Sequence, residues 1–480
     1  MNKTCEKSKL KIFKYLSYQD VLIFLIPFII FMCYLFIYNP GILRYDTFYQ
    51  LHQIATSQYN DWHPFFHTFI EMLCLKIYPN TKSVAILQII TFSAIWTVMC
   101  NYFRSNIKNN KKTFIIQVIL TLIISLIPIN AIYSITLLKD TLFSYFLVFN
   151  CFLIKVMLDK KENIGPGLIV LISLIMAFIA QIRFNGMYIT IPMMIILSIY
   201  LYKTNKTKKL YMLLPALTIL FILLIASLNI VYDVNEHQKD ALGTKITHML
   251  ADYDLNLDIT PTDKEKIHKL ANETKIKENY ELTFSDPIYR AYNKTEFKVN
   301  KEDYIGLAIK YSIKNPIHCL EYLFGSSVMV WDIVRGDDWS SQPYYTDIEY
   351  ARGVFFSNHS KNVPVKGFEQ QKAKHKGEPI FESLNSSVNF VIKNKVLDTL
   401  FDSPALYMYL SFILIGAIIL IDKSKDMLLV YLPNLFNIVV IFLSVPTQDN
   451  RYLYPNLLIF YMILLILIKI ICDKKLTERI

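Results

Sequence analysis

The chain has 480 residues, of which 54% are hydrophobic and 14% aromatic, and it carries a formal net charge of +11. That composition excludes an ordinary soluble protein, because the apolar residues are gathered in blocks of roughly 16–22, the length that crosses a bilayer core. The excess of Lys and Arg sits in short links between those blocks, so it reads as a topology signal and needs no nucleic-acid partner.

In chain order the sequence predicts spans at 20–38, 83–103, 113–129, 140–157, 165–181, 187–202, 210–231, 404–421, 427–445 and 453–471. The expected fold is an all-α polytopic membrane protein of about ten transmembrane helices, with amphipathic juxtamembrane helices and an extracytoplasmic mixed domain. An even number of spans puts both termini on one side. The start "MNKTCEKSKLKIFKY", the links "RSNIKNNKK", "DKKEN", "KTNKTKK" and "DKSKD", and the tail "CDKKLTERI" all fall on that side. Their lysines mark it as cytoplasmic. No small-residue cleavage site follows the first apolar run, which therefore reads as a retained span.

Three regions result: a seven-span module at 1–232 with a first exterior loop at 39–82, a polar exterior domain at 233–403, and three closing spans at 404–480. Residues 65–78 are too short to cross. Glu71 and Lys76 share one helical face there, while Phe66, Phe69, Ile70, Leu73 and Ile77 share the other. That pattern predicts an amphipathic helix lying on the membrane. Residues 301–333 predict two further membrane-surface helices, broken before Pro316. The seven cysteines form no CxxC or Cys/His metal spacing, and only Cys74 and Cys319 lie where an exterior bridge could join them.

Four polar stretches converge on the exterior surface in this topology. The first loop, "GILRYDTFYQLHQIATSQYNDWHPFFHTFI", carries Arg44, Asp46, His52, Asp61, His63 and His67. "LLKDTLF" carries Lys139 and Asp140, "QIRFNGMY" carries Arg183 and Asn185, and "VPTQDNRYLYP" carries Asp449, Arg451, Tyr452 and Tyr454. Taken singly, an arginine at a span end ordinarily snorkels to the headgroups, and an aspartate at a helix start ordinarily faces the positive dipole end. His52 and His67 read as structural. The whole set on one leaflet is what singles the surface out. A carboxylate there suits a general base acting on a hydroxyl. Cations opposite it suit a phosphate leaving group. The absence of a Gly-rich phosphate loop fits a lipid-phosphate donor better than a nucleotide sugar.

At these motifs the chain resembles the GT-C superfamily of integral-membrane glycosyltransferases, and most closely the protein O-mannosyltransferase and aminoarabinose-transferase type. Those enzymes place an acid early in the first exterior loop and a His-Pro or Lys-Pro stretch before a surface helix. "YDTFYQ" supplies Asp46, and "DWHPFF" supplies Asp61, His63 and Pro64. The family's acid opening the fourth span is matched by Asp140. The likeness covers residues 15–232 and is thinner over 404–480. Thr47 stands where the family has a paired acid, and Phe65 where it has a second proline. Those departures leave the donor sugar and any divalent-cation requirement open.

The resemblance implies an inverting transfer of sugar from a polyprenyl-phosphate donor to an extracytoplasmic glycan, lipid or protein, with Asp46 as general base. Arg183, Arg451, Lys139 and His63 would contact the donor phosphate; Asp61, Asp140 and Tyr452 would support them. No metal ligand set and no definite cofactor are implied. The exterior domain would select the acceptor, and "VWDIVRGDDWS" at 330–340 would offer an aromatic platform. The implied location is a multi-pass position in a bacterial plasma membrane, in contact with its lipid. The rival reading is a transporter or flippase of lipid-linked or polar cargo, which would ordinarily show ionisable residues at mid-membrane. Two further rivals are a polysaccharide polymerase or ligase, whose long exterior loop would lie between later spans, and a catalytically silent scaffold, which would tolerate loss of Asp46.

Overall fold

A computed structural model describes residues 17–105, 110–205, 209–235, 241–334, 378–444 and 447–477. Among them the chain is helical, with only isolated β-bridges. Helix α1 (Tyr18–Ile37) leads through two short helices, α2 (Tyr45–Thr56) and α3 (Phe65–Ile77), to α4 (Lys82–Ser105). The first module continues with α5 (Asn110–Leu126), α6 (Pro128–Ile135), α7 (Lys139–Lys160), α8 (Pro166–Ile182), α9 (Gly186–Asn205) and α10 (Leu210–Val231).

A polar helical domain follows: α11 (Ala241–Asn256), α12 (Pro261–Leu270), α13 (Glu273–Asn279), α14 (Asp286–Ala291), α15 (Lys294–Val299), α16 (Lys301–Lys314), α17 (Pro316–Gly325) and α18 (Val328–Trp331). The break between α16 and α17 falls before Pro316, as its restriction on the preceding residue predicts. This domain has its own small core of Leu250, Tyr253, Ile288, Phe297, Tyr304 and Tyr311. Of the stretch at 330–340, residues from 335 onward lie outside the described residues. The chain closes with α19 (Pro379–Lys393), α20 (Lys395–Asp402), α21 (Pro404–Asp422), α22 (Asp426–Ser444) and α23 (Tyr454–Thr477).

Eight of the ten expected spans are helices long and apolar enough to cross a membrane, and the protein is a polytopic all-α membrane protein. The expected span at 113–129 falls on α5 and α6, which meet at 66°. The cause is Pro128: a proline has no N–H to give and opens a new helix at its first position. The expected span at 165–181 is α8, apolar but only 17 residues long.

Helix α7 is the centre of the bundle, with 83% of its apolar window buried against 11% for α10. Lipid can cover an apolar helix such as α10, so the burial of α7 on nearly every face reports neighbouring helices around it. Its first residues, Lys139 and Asp140, therefore emerge at the middle of one bundle end. The ends of α1 and α8 and the starts of α21 and α23 arrive there too: Ile42 N–H donates to Ile135 O at 2.9 Å, Leu137 N–H to Ile42 O at 3.1 Å, and Asn456 Nδ2 to Pro404 O at 3.0 Å. At the opposite end Arg104 is buried on Asp20 and donates to Gln117 Oε1 at 2.9 Å.

Two glycines make this convergence possible. Gly41 has φ +110°, and a Cβ there would stand 2.9 Å from Leu137 Cδ1 and 3.0 Å from Ile135 O. At Gly186 a Cβ would fall 1.9 Å from the carbonyl oxygen of Ile179, so α9 starts in backbone contact with α8. Gly186→Ala is expected to cost about 1–3 kcal/mol and to lower the unfolding temperature in detergent. An unchanged midpoint would show that the α8–α9 turn relaxes freely.

Helix α3 separates the residues of its expected polar face. Glu71 is completely buried with His67, Phe65, Met72 and Cys74, whereas Ile77 is 86% and Leu73 43% exposed. Of the two residues expected on the polar face, Glu71 points into the bundle, on a helix packed against α2, α4, α8 and α10, while Lys76 is exposed. In a bilayer the apolar face already has lipid as its solvent, so polar groups turn to the protein interior. Cys74 and Cys319 are both free thiols.

Candidate functional site at the bundle end

Asp46 stands in the first turn of α2, and Thr47 sets its position. Arg44 N–H donates to Thr47 Oγ1 at 3.2 Å, and that hydroxyl donates to the Leu137 carbonyl at 2.5 Å. The second bond ties the start of α2 to the segment that leads into α7. It also gives a local reason for a threonine at this position. One turn on, Gln50 donates to Thr68 Oγ1 at 2.9 Å and its Oε1 lies 3.2 Å from His67 Nδ1, which pins α2 onto α3.

So held, Asp46 faces Lys139, whose Nζ donates to Oδ2 at 2.8 Å. Lys139 Nζ is also 3.2 Å from His63 Nδ1. An ammonium has only donors, so His63 Nδ1 accepts and Nε2 is the nitrogen that carries a proton. That Nε2 lies 3.9 Å from Asp46 Oδ1.

Arg451 comes from the loop between α22 and α23. Its Nη1 is 3.5 Å from Asp46 Oδ2, and its Nε is 3.1 Å from Asp449 Oδ2 and 3.8 Å from Asp140 Oδ2. Arg183, at the end of α8, places Nη1 2.9 Å from Asp140 Oδ1. Its guanidinium lies 5.1 Å over the Phe143 ring and 4.9 Å over the Tyr452 ring. Tyr452 also lies under Arg451 at 5.1 Å, and Arg451 donates to its hydroxyl at 3.3 Å. Arg44 closes the group, with Nη2 3.3 Å from Asp449 Oδ2.

Among the described residues, four cations (Arg44, Lys139, Arg183, Arg451) thus meet three carboxylates (Asp46, Asp140, Asp449), one positive charge in excess. The acids differ in access. The Asp140 side chain is 1% exposed and sealed against Arg183, while that of Asp46 is 18% exposed. Asp46 can therefore meet an incoming molecule, and Asp140 serves to hold the arginines. Burial alone would raise the Asp46 carboxyl, yet Lys139, Arg451 and His63 outweigh it and keep it well below the usual range.

The loop that carries Arg451 is fastened on both sides. Asp449 Oδ1 accepts from Arg451 N–H at 3.2 Å. Asn450 Nδ2 donates to Asp402 Oδ2 at 2.8 Å, fixing α20. Gln448, fully buried, accepts from Met329 N–H at 3.1 Å and donates to Ser326 O at 2.9 Å and Thr283 O at 3.2 Å. One side chain thereby holds two segments of the polar helical domain beside the site.

Beneath Lys139 lie the buried His67 and Glu71, with Nδ1 to Oε1 at 3.7 Å. Burial pushes the Glu71 carboxyl well above its usual range, with Lys139 only partly opposing, and pushes His67 down to about 3. The signs follow from linkage. Glu71 keeps a proton that the unfolded chain releases above its ordinary 4.5, so its contribution weakens as pH rises. His67 excludes a proton that the unfolded chain takes up below 6.5, so its contribution weakens as pH falls. Glu71→Gln keeps a neutral side chain of the same shape. It is expected to reduce the loss of thermal stability on going from about pH 5 to about pH 8. An identical loss in both proteins would mean that Glu71 does not hold a proton in the fold.

Of the residues singled out from sequence, Asp46, His63, Lys139, Asp140, Arg183, Arg451 and Tyr452 meet in one cluster. Asp61 ties the loop to the segment after α10, its N–H donating to Asn235 O at 3.1 Å. His67 is buried below the cluster, in keeping with a structural role. Two members were missed as site residues, Arg44 and Asp449. Their signal is a mirrored spacing, Arg44-x-Asp46 and Asp449-x-Arg451, whose partners cross: Arg44 to Asp449 and Arg451 to Asp46. Among the described residues no group of three or more His, Cys, Asp or Glu side chains gathers as a metal site.

No curated protein and no solved structure matches the chain. A family model described as a family of unknown function, DUF6020, matches residues 80–478. The match includes Lys139, Asp140, Arg183 and the Asp449–Tyr452 turn, and begins after Asp46 and His63. The chain belongs to the DUF6020 family.

Proposed function

We propose that the protein is a membrane glycosyltransferase that moves a sugar from a polyprenyl-phosphate donor to an extracytoplasmic acceptor with inversion. The observation that carries this reading is the pairing of one accessible carboxylate, Asp46, with Lys139 and Arg451. Before a donor arrives those cations neutralise Asp46 and make it a weak base. An arriving donor phosphate competes for them, and the one excess positive charge favours its entry. As Lys139 and Arg451 turn to the phosphate, Asp46 loses their neutralising charge and its proton affinity rises.

The reaction then balances simply. Asp46 takes the proton of the acceptor hydroxyl, and that oxygen bonds to the anomeric carbon from the face opposite the phosphate. The bond from the anomeric carbon to the phosphate oxygen breaks, and its electron pair stays on the phosphate, where Arg451, Lys139 and Arg183 stabilise it. A shallow apolar recess lined by Phe92, Trp96, Met99, Tyr145, Leu458 and Tyr461 opens on the same helix α7. Tyr145 is roughly 8 Å along the helix from Asp140. A lipid-linked donor would find its headgroup site and an apolar wall on one element.

The lysine-rich links on the other side of the bundle support an extracytoplasmic site and cytoplasmic termini. The test is to give the purified protein, in vesicles, labelled polyprenyl-phosphate sugars with glycan, lipid and peptide acceptors. Transfer of label is the expected result. Movement of the lipid-linked sugar across the vesicle without transfer would replace this reading with a flippase.

A further inference from the structure

At the cluster's end of the bundle two short helices, α17 and α20, lie beside the start of the span α21, and both turn apolar residues outward. In α17 these are Ile317, Leu320 and Phe324, spaced by three and four along one helical face. Ile317 is 72% exposed, whereas Tyr322, on the opposite face, is buried and bonded to His248 of α11. In α20 the polarity is inverted outright. Asp398 and Asp402, one turn apart, are buried, while Val396 and Leu400, also one turn apart, are 67% and 47% exposed. A helix bordering water carries its charges outward and its apolar residues inward. The reverse arrangement fits a hydrocarbon surround.

Both patches are continuous with the membrane-crossing surface. Ser403 alone separates α20 from α21. The Phe324 ring meets that of Phe442, two residues before the end of the span α22, at 5.1 Å. Trp331 joins the two sides: its indole N–H donates to Phe324 O at 2.9 Å, and its carbonyl accepts from the Tyr409 hydroxyl of α21 at 2.8 Å. Ser403 Oγ donates to Ile333 O at 2.7 Å, just beyond α18. Trp and Tyr together at the ends of spans mark the headgroup level of a bilayer.

We infer that α17 and α20 form a collar that docks into the bilayer leaflet at this end, and that this seat holds the Arg451 loop. Helices of this kind lie with their apolar face about 5–10 Å into the boundary between headgroups and acyl chains. Lipid is the occupant that the surroundings favour. The collar flanks a span whose own outward residue, Ile413, is 66% exposed, so acyl chains already border both patches. The hold on the loop follows from two side chains. Gln448 donates to Ser326 O, at the end of α17, and accepts from Met329 N–H of α18. Asn450 donates to Asp402 Oδ2, at the end of α20. These two residues bracket Asp449, so the segment from Gln448 to Arg451 hangs between the collar helices. A leaflet that fixes the collar thereby fixes the depth of Arg451 against the membrane surface. This goes beyond the glycosyltransferase reading and holds whatever reaction the cluster performs.

The test is photo-crosslinking of the full-length protein in phosphatidylcholine vesicles, with p-benzoylphenylalanine placed at Leu320 or at Leu400. Ile413, on the outward face of a span, is the positive control, and the exposed Lys277 of α13 is the negative one. Mass spectrometry is expected to find phosphatidylcholine attached at Leu320, Leu400 and Ile413 but not at Lys277. A crosslinked dimer in place of the lipid adduct would show that a second copy covers the collar, and would overturn the docking. So would an adduct at Ile413 with none at Leu320 and Leu400. The hold on the loop is read by hydrogen exchange over residues 448–451. Leu320→Glu/Leu400→Glu, at two exposed positions, is expected to speed that exchange about threefold or more in vesicles, with the unfolding temperature kept. Unchanged exchange in that variant would overturn the hold on Arg451.

Discussion

Asp46→Asn is expected to lower the rate of sugar transfer by about 10²–10⁴-fold, the usual worth of a positioned general base. The substitution keeps the size of the side chain and one acceptor oxygen for Lys139, so the fold and donor binding should persist. A sharper consequence follows from the ion pairs. In the free protein Lys139, Arg451 and His63 hold the Asp46 carboxyl well below its ordinary 3.8. The base is active only when deprotonated, so kcat/KM, which reports the free enzyme, should stay level on acidification to below that value. On the proposed reading a donor phosphate would share Lys139 and Arg451, and the carboxyl would recover proton affinity. The acid limb of kcat should therefore lie at higher pH than that of kcat/KM. A single limb common to both profiles would show that the cations never leave Asp46. Full activity in the Asn variant would remove Asp46 from catalysis altogether.

The cluster was legible in the sequence because charge is rare in these spans. Once the hydrophobic blocks fix which links share a side, Asp46, Lys139, Asp140, Arg183 and Arg451 fall on one leaflet with no further information. Their pairing was not legible. Nothing in the spacing says that Asp140 is sealed under Arg183 while Asp46 stays open, since that depends on α7 being the central helix. The mirrored Arg44 and Asp449 needed the crossing of two loops to acquire meaning. For α3 the periodicity grouped Glu71 with Lys76, but only Glu71 turns into the bundle while Lys76 stays exposed, because packing against neighbouring helices and not spacing decides which polar residue is covered. The break at Pro128 is visible as a residue, but hydropathy alone runs through it as one continuous span. Gln448 is the clearest loss: a lone glutamine beside a cluster of charges carries no periodic signal, yet it fastens the polar domain to the Arg451 loop.

Arg451→Ala is expected to raise the apparent KM for donor by about 10–100-fold, with a smaller change in kcat. The reasoning is electrostatic. Arg451 is the cation common to all three carboxylates, at 3.1 Å from Asp449, 3.5 Å from Asp46 and 3.8 Å from Asp140. Removing it turns the excess of one positive charge into balance, so the attraction that favours an anionic headgroup is lost. Truncating one partner of a desolvated charge pair ordinarily costs about 2–5 kcal/mol. Here Asp140 keeps Arg183, Asp449 keeps Arg44 and Asp46 keeps Lys139, which should hold the cost near the lower end. About 1.4–2.7 kcal/mol corresponds to the 10–100-fold range. Arg451→Lys separates charge from shape: it restores the positive charge but not the planar fork that spans Asp46 and Asp449. A point charge is enough to attract the phosphate, so the Lys variant should recover most of the KM and little of any kcat deficit. If Arg451→Ala left donor KM unchanged while lowering the amount of folded protein, Arg451 would be a clamp for the loop and the phosphate would have to be held by Lys139 and Arg183. The double variant Asp449→Ala/Arg451→Ala distinguishes these cases further. A clamp shared by the two residues would make their effects overlap in stability, whereas an electrostatic role would let the double variant, which regains one positive charge in excess, recover part of the donor KM lost in Arg451→Ala.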